Sequence, residues 1–134
     1  MNTAAKKLGS LKLTEETKFF LCDAAVGDHY PESRFEIKLP CGNYEIFSDD
    51  YMFVVVKAGT LRSAHTDFGE PPDEEAATLG AIVVDTATVA LVPADFFTTG
   101  AGAVFQTETG SDGKFSIFEV YGQRNAWCGY TILF

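Results

Sequence analysis

The sequence predicts an all-β protein, an antiparallel β-sandwich or partly closed barrel of roughly eight to ten short strands with at most one or two short helical turns. Three observations carry this expectation. Apolar runs rich in β-branched and aromatic residues recur along the chain. Several of them alternate polar and apolar residues, the period of a strand with one buried face. Clusters of Gly, Pro, Asn, Asp and Ser separate the runs at intervals of about eight to twelve residues, the spacing of a meandering sheet.

Each element follows from its own residues. Residues 1–10 read as a loose arm of small and basic residues. Residues 18–22 form an apolar strand that stops at Asp23, and a loop runs over 27–33. Arg34–Leu39 alternates strictly and reads as a half-buried strand. Pro40, Cys41, Gly42 and Asn43 turn the chain into the alternating segment 44–47, so these two strands make a hairpin or a tight corner. Residues 51–58 are apolar at nearly every position, as expected of a central strand. The longest polar segment, 63–78, follows, and the acids at 73–75 would open a short helix within it.

Residues 79–97 are the richest stretch. Two apolar runs flank Asp85 and Thr86, and Pro93 ends the second. They read as two buried strands of a core hairpin, with Asp85 tying its turn. A flexible link over 98–102 leads to strands at 103–109 and 114–121, joined as a hairpin through Ser111, Asp112 and Gly113. The last strand covers 126–134. Its apolar end carries no charge, so as an exposed edge it would invite a second copy, and a central place is expected for it instead.

Composition bounds the function. The chain has 134 residues, one domain over 1–134, and its 12 Phe, 5 Tyr and single Trp supply a core without staples. Cys22, Cys41 and Cys128 are odd in number and far apart, which points to free thiols in a reduced, cytoplasmic setting. No Cys-x-x-Cys pair occurs and His29 and His65 are well separated, so no metal and no cofactor is expected. No apolar run approaches the ~20 residues of a membrane helix, and no signal-peptide pattern opens the chain. The net charge of −9 repels nucleic acid and anionic membranes and attracts a basic protein.

The order of turn motifs resembles that of an uncharacterised bacterial family of small β-rich domains, a domain of unknown function. Leu21-Cys22-Asp23-Ala24 stands where that family has a Cys-Asp-Pro step, without the Pro. Leu39-Pro40-Cys41-Gly42-Asn43-Tyr44-Glu45-Ile46 matches its Pro-Gly-x-Tyr-x-Val turn, and residues 53–61 loosely match a Val-Ala-x-x-x-Leu strand. Val84-Asp85 followed by Asp95 resembles its Val-Asp-x-Gly turn with a trailing Asp, with Thr86-Ala87 in place of the Gly. Gly110-Ser111-Asp112-Gly113-Lys114-Phe115 resembles its closing hairpin. The resemblance implies a compact β-rich domain and no particular chemistry.

Two candidate surfaces emerge. The first is an interaction surface made of Asp67, Phe68, Glu70, Asp73, Glu74 and Glu75, an acidic strip stiffened by two prolines, together with the aromatic pair Phe96 and Phe97. Aromatic anchors ringed by polar residues suit a protein interface, and the acidic strip would steer a basic partner. The function expected is then a small acidic interaction module of the immunity or inhibitor type, with a homo-oligomer through an edge strand as a further form of association. The alternative is a small-ligand-binding or hydrolytic β-domain. Its carboxylates would be Asp23, Asp85, Asp95 and Asp112 at strand ends, as acid/base or cation-binding groups. Against it, Asp in turns usually bonds its own backbone. Two further pairs, Cys22 with His29 and His65 with Asp67, read as an inert thiol and a solvated loop.

Overall fold

The computed structural model describes residues 6–59, 78–102, 104–121 and 126–134. Among them are ten strands: β1 (Lys6–Leu13), β2 (Thr17–Cys22), β3 (Arg34–Leu39), β4 (Gly42–Ser48), β5 (Met52–Lys57), β6 (Gly80–Val84), β7 (Thr88–Pro93), β8 (Phe105–Glu108), β9 (Gly113–Tyr121) and β10 (Trp127–Leu133). A 3₁₀ turn, Pro31–Ser33, precedes β3, and one helical turn, α1 (Phe96–Thr99), follows β7. The strands form two antiparallel sheets, ordered β1-β4-β5-β10-β9-β6 and β3-β2-β7-β8. The fold is a sandwich and not a closed barrel.

Alternation explains the core. Phe19, Leu21, Ile37, Leu39, Tyr44, Ile46, Phe53, Val55, Ile82, Val84, Val89, Leu91, Ile117, Tyr130 and Ile132 point between the sheets and make one buried cluster. Their odd–even spacing along each strand puts them all on inner faces. The remaining residues of β5 are apolar too. Met52, Val54 and Val56 join Phe47 and Cys128 in a second cluster on the outer face of the larger sheet. A third cluster, Cys22, Ala90 and Val92 with Phe20, Ala24, Phe96 and Phe97, lies on the outer face of the smaller sheet.

Glycine closes both open sides of the sandwich. A methyl group on Gly9 of β1 would collide with the Phe105 ring of β8, and one on Gly80 of β6 with the Phe35 ring of β3. Each ring therefore fills the place of a missing side chain, and the edge strands of the two sheets approach closely there.

The structure corrects several local expectations. Lys6–Leu13 is a paired edge strand, so residues 6–10 belong to the sheet and not to a loose arm. Four short turns join strands of different sheets, the first of them between β1 and β2. β3 and β4 meet at a corner; β6 pairs with β9 while β7 pairs with β2 and β8; and β8 pairs with β7 while β9 pairs with β6 and β10. The expected hairpins at Asp85 and at Ser111-Asp112-Gly113 are thus crossovers. A turn signal fixes where the chain bends, not which neighbour the next strand takes. The last strand, β10, lies between β5 and β9, inside the sheet. The short helix expected at 73–77 lies outside the described residues.

Candidate functional site

Asp23 organises one end of the sandwich. It follows β2 directly and is fully buried. Its Oδ1 accepts a hydrogen bond from the Ala25 amide at 3.0 Å, the local bond of an Asx turn. The same oxygen accepts from the Thr86 hydroxyl at 2.8 Å, and Oδ2 accepts from the amides of Asp85 and Thr86 at 2.9 Å each. One carboxylate thus clamps the β6–β7 turn to the β2–β3 connection. Burial is the strongest influence on this carboxyl and pushes its pKa up. The bonds from the Thr86 hydroxyl and the Asp85, Ala25 and Thr86 amides together outweigh it and hold the group below the usual carboxylate range.

Gly27 and Arg34 complete the clamp. The Arg34 guanidinium donates to the Gly27 carbonyl at 2.6 Å and lies over the Phe20 ring, 5.8 Å from its centre. A side chain on Gly27 would stand 2.8 Å from the Asp23 carbonyl oxygen and 3.2 Å from the Phe97 ring. Only glycine lets the connection pass beneath that ring.

The expected site residues fall as follows. Asp23 and Asp85 meet, but through Asp85's amide, while the Asp85 side chain is exposed. The turn is tied by Asp23, not by Asp85. Asp112 reaches the same end, because Thr109 bonds the Ala87 carbonyl and Gly113 lies opposite Val84. Asp95 lies beyond the far end of β7, next to Ala94, whose amide bonds Lys18. The four carboxylates therefore do not share one pocket, and both oxygens of Asp23 are occupied by the fold itself. Among the described residues no group of three or more His, Cys, Asp or Glu is placed to hold a metal ion. Phe96 and Phe97 are half-buried. Phe97 packs 5.9 Å from Phe20 and 5.6 Å from Phe96, so the pair covers the outer face of the smaller sheet. Asp67, Phe68, Glu70, Asp73, Glu74 and Glu75, with His65, lie outside the described residues.

The Asp23 end gathers charge from three connections. The Asp28, Glu32, Asp85, Glu108 and Asp112 side chains are all exposed there. Lys114 and the half-buried Arg34, already committed to Gly27, are basic residues at this end, and His29 stands 3.5 Å from Asp28. At the β1 edge the charge has the opposite sign. Lys7, Ser10, Lys12, Asn43 and Glu45 line an open groove of about 370 Å³, in which Lys7 meets Glu45 at 2.9 Å. Sequence reasoning offered Asp23, Asp85 and Asp112 as one carboxylate set together with Asp95. It missed Asp28, Glu32 and Glu108, whose only signal was their position in or beside turns.

The thiols differ sharply. Cys22 is buried in the third cluster, and desolvation, followed by the neighbouring Asp23 charge, pushes its pKa up to about 12 despite Arg34. Cys128 is also buried, and Cys41 is exposed in the β3–β4 corner. His29 is exposed beside Asp28. Thiol labelling of the native protein with a disulfide reagent is expected to titrate Cys41 quickly, and Cys22 and Cys128 only on unfolding. Rapid native labelling of Cys22 would revive a nucleophilic role for it.

No family model matches the chain, and no curated protein or solved structure matches it either. No helix among the described residues is long and apolar enough to cross a membrane.

Proposed function

We propose that this protein is an interaction module that docks a basic protein partner on the acidic end of its sandwich, as an immunity or inhibitor protein does. The observation that carries this reading is the gathering of exposed Asp28, Glu32, Asp85, Glu108 and Asp112 on connections that meet around buried Asp23. A fixed backbone presents these charges without an ordering cost at binding, which favours tight and fast association. The net charge of −9 extends the same field around the molecule and steers a cationic partner toward it.

Affinity capture from the source cell tests this with the wild-type protein and the triple variant Asp85→Asn, Glu108→Gln, Asp112→Asn. A basic partner should bind the wild type at low salt and elute as salt rises. The variant should bind it at least about tenfold more weakly, the equivalent of roughly 1.4 kcal/mol. Capture of no basic partner, or equal capture by the variant, rejects the assignment.

A further inference from the structure

The inner face of the larger sheet runs past the smaller sheet at the end of the sandwich opposite Asp23. β9 runs from Gly113, at the Asp23 end, to Tyr121 at the other. Alternation puts Lys57 of β5, Trp127 and Tyr130 of β10, and Glu119 and Tyr121 of β9 on that inner face, in line with buried Tyr44, Val55 and Ile117. The Tyr130 hydroxyl donates to the Lys38 carbonyl near the end of β3 at 3.2 Å, which marks where the cover stops. Past it Trp127 is half-buried, Lys57 and Glu119 are exposed, and Tyr121 is 55% exposed.

These side chains form a shelf across three neighbouring strands. Trp127 stands opposite Tyr121 in the β9–β10 ladder, and the Lys57 ammonium lies over the Trp127 ring, 5.5 Å from its centre. The Tyr130 ring meets the indole edge to face, with centres 5.4 Å apart and planes at 72°, and fixes its tilt. The Tyr121 hydroxyl donates to Glu119 Oε2 at 2.9 Å. That bond raises the Tyr121 pKa, so the phenol keeps its proton and its orientation. Neighbouring strands lie about 4.8 Å apart, so the row from Lys57 across Trp127 to Tyr121 is roughly 10 Å wide.

We propose that this shelf binds a neutral saccharide. The apolar C–H face of a pyranose ring lies against the rings of Tyr121 and Trp127, and its hydroxyls bond the Lys57 ammonium on one side and the Glu119 carboxylate on the other. Aromatic walls with a few placed polar groups are the usual make-up of a small-ligand site.

The opposite charges on either side of the rings select the ligand. A cation would meet Lys57, and the indole face it would seek is already held by that ammonium. An anion would meet Glu119 and the field of a molecule with net charge −9. A purely apolar ligand would strip water from both charges and bond neither. A polyol suffers none of these penalties, because a hydroxyl accepts from an ammonium, which only donates, and donates to a carboxylate, which only accepts. An open shelf encloses little of its ligand, so dissociation in the range of about 0.1–10 mM is expected. The shelf and the Asp23 end lie at opposite ends of β9, so saccharide and protein binding are independent properties.

Trp127 is the single Trp of the chain, so tryptophan fluorescence reads this shelf directly. The wild type is titrated with cellotetraose, maltotetraose, chitotetraose and mannotetraose, and in parallel with tetramethylammonium chloride and sodium acetate. At least one saccharide should change the emission saturably. Tyr121→Ala and Glu119→Gln should each weaken that binding at least about tenfold, the equivalent of roughly 1.4 kcal/mol, with circular dichroism confirming the fold. Tyr51→Ala, which removes an exposed tyrosine from the β4–β5 turn, should bind as the wild type does. No saturation with any of these saccharides, saturation by tetramethylammonium or acetate instead, or saccharide binding that survives both shelf substitutions overturns the proposal. If Tyr121→Ala does not fold, Glu119→Gln, at an exposed position, decides alone.

Discussion

Gly129→Ala is expected to lower the stability of this protein by about 2–6 kcal/mol, combining overpacking of about 1–3 kcal/mol with backbone strain of similar size. Gly129 sits in the central strand β10, at the bulge that follows Trp127, between Val56 of β5 and Val120 of β9. A Cβ there would overlap the Val55 carbonyl oxygen and lie 2.9 Å from both the Val55 carbonyl carbon and the Val56 Cα. Its φ of 158° is one that side-chain-bearing residues rarely adopt. The obstacle is the backbone of a central strand, which cannot turn aside without breaking the sheet. At Gly9 and Gly80 the obstacle is a phenylalanine ring, which can swing, so alanine there should cost less. Urea denaturation of the three variants checks the ranking. A Gly129→Ala loss below about 1 kcal/mol, or one smaller than that at Gly9, contradicts the argument.

The second large effect belongs to Asp23. Asp23→Ala is expected to cost about 3 kcal/mol, because it removes a buried carboxylate that accepts from the Ala25, Asp85 and Thr86 amides and the Thr86 hydroxyl. Asp23→Asn keeps an acceptor oxygen and should cost less. The pH dependence has a definite sign. The folded carboxyl titrates below its ordinary value of 3.8, so the clamp contributes its full stabilisation above that pH and loses it as pH falls through the lower folded value. In the Asp23→Asn variant that part of the acid-induced loss should vanish. Unfolding midpoints from neutral to acidic pH measure it, and parallel pH profiles for wild type and variant would show that the carboxylate is not the titrating clamp. Exchange of the Asp85 and Thr86 amides should quicken in both variants.

These two residues show where the sequence was legible. Asp23 after an apolar run, with Ala25 two residues on, carries the local signature of an Asx turn. Its other partners, Asp85 and Thr86, are brought to it only by folding. The sequence placed a carboxylate between two apolar runs at Asp85 and expected it to tie the turn. The turn is tied instead by a carboxylate from another connection, with Asp85 contributing its amide and turning its own charge to solvent.

Periodicity alone determined most of the strands, β1 excepted. Alternation in Arg34–Leu39 and the unbroken apolar run of β5 follow from which faces must leave water, a property each segment carries by itself. Composition likewise determined the net charge of −9 and a supply of aromatic side chains for the core. Sheet membership is different. Whether β6 folds back on β7 or crosses to β9 depends on which pairing buries both inner faces at once, a sum over distant segments that no turn motif encodes. Only the tertiary structure therefore decided that β10 is central and that carboxylates from three connections meet at one end around Asp23.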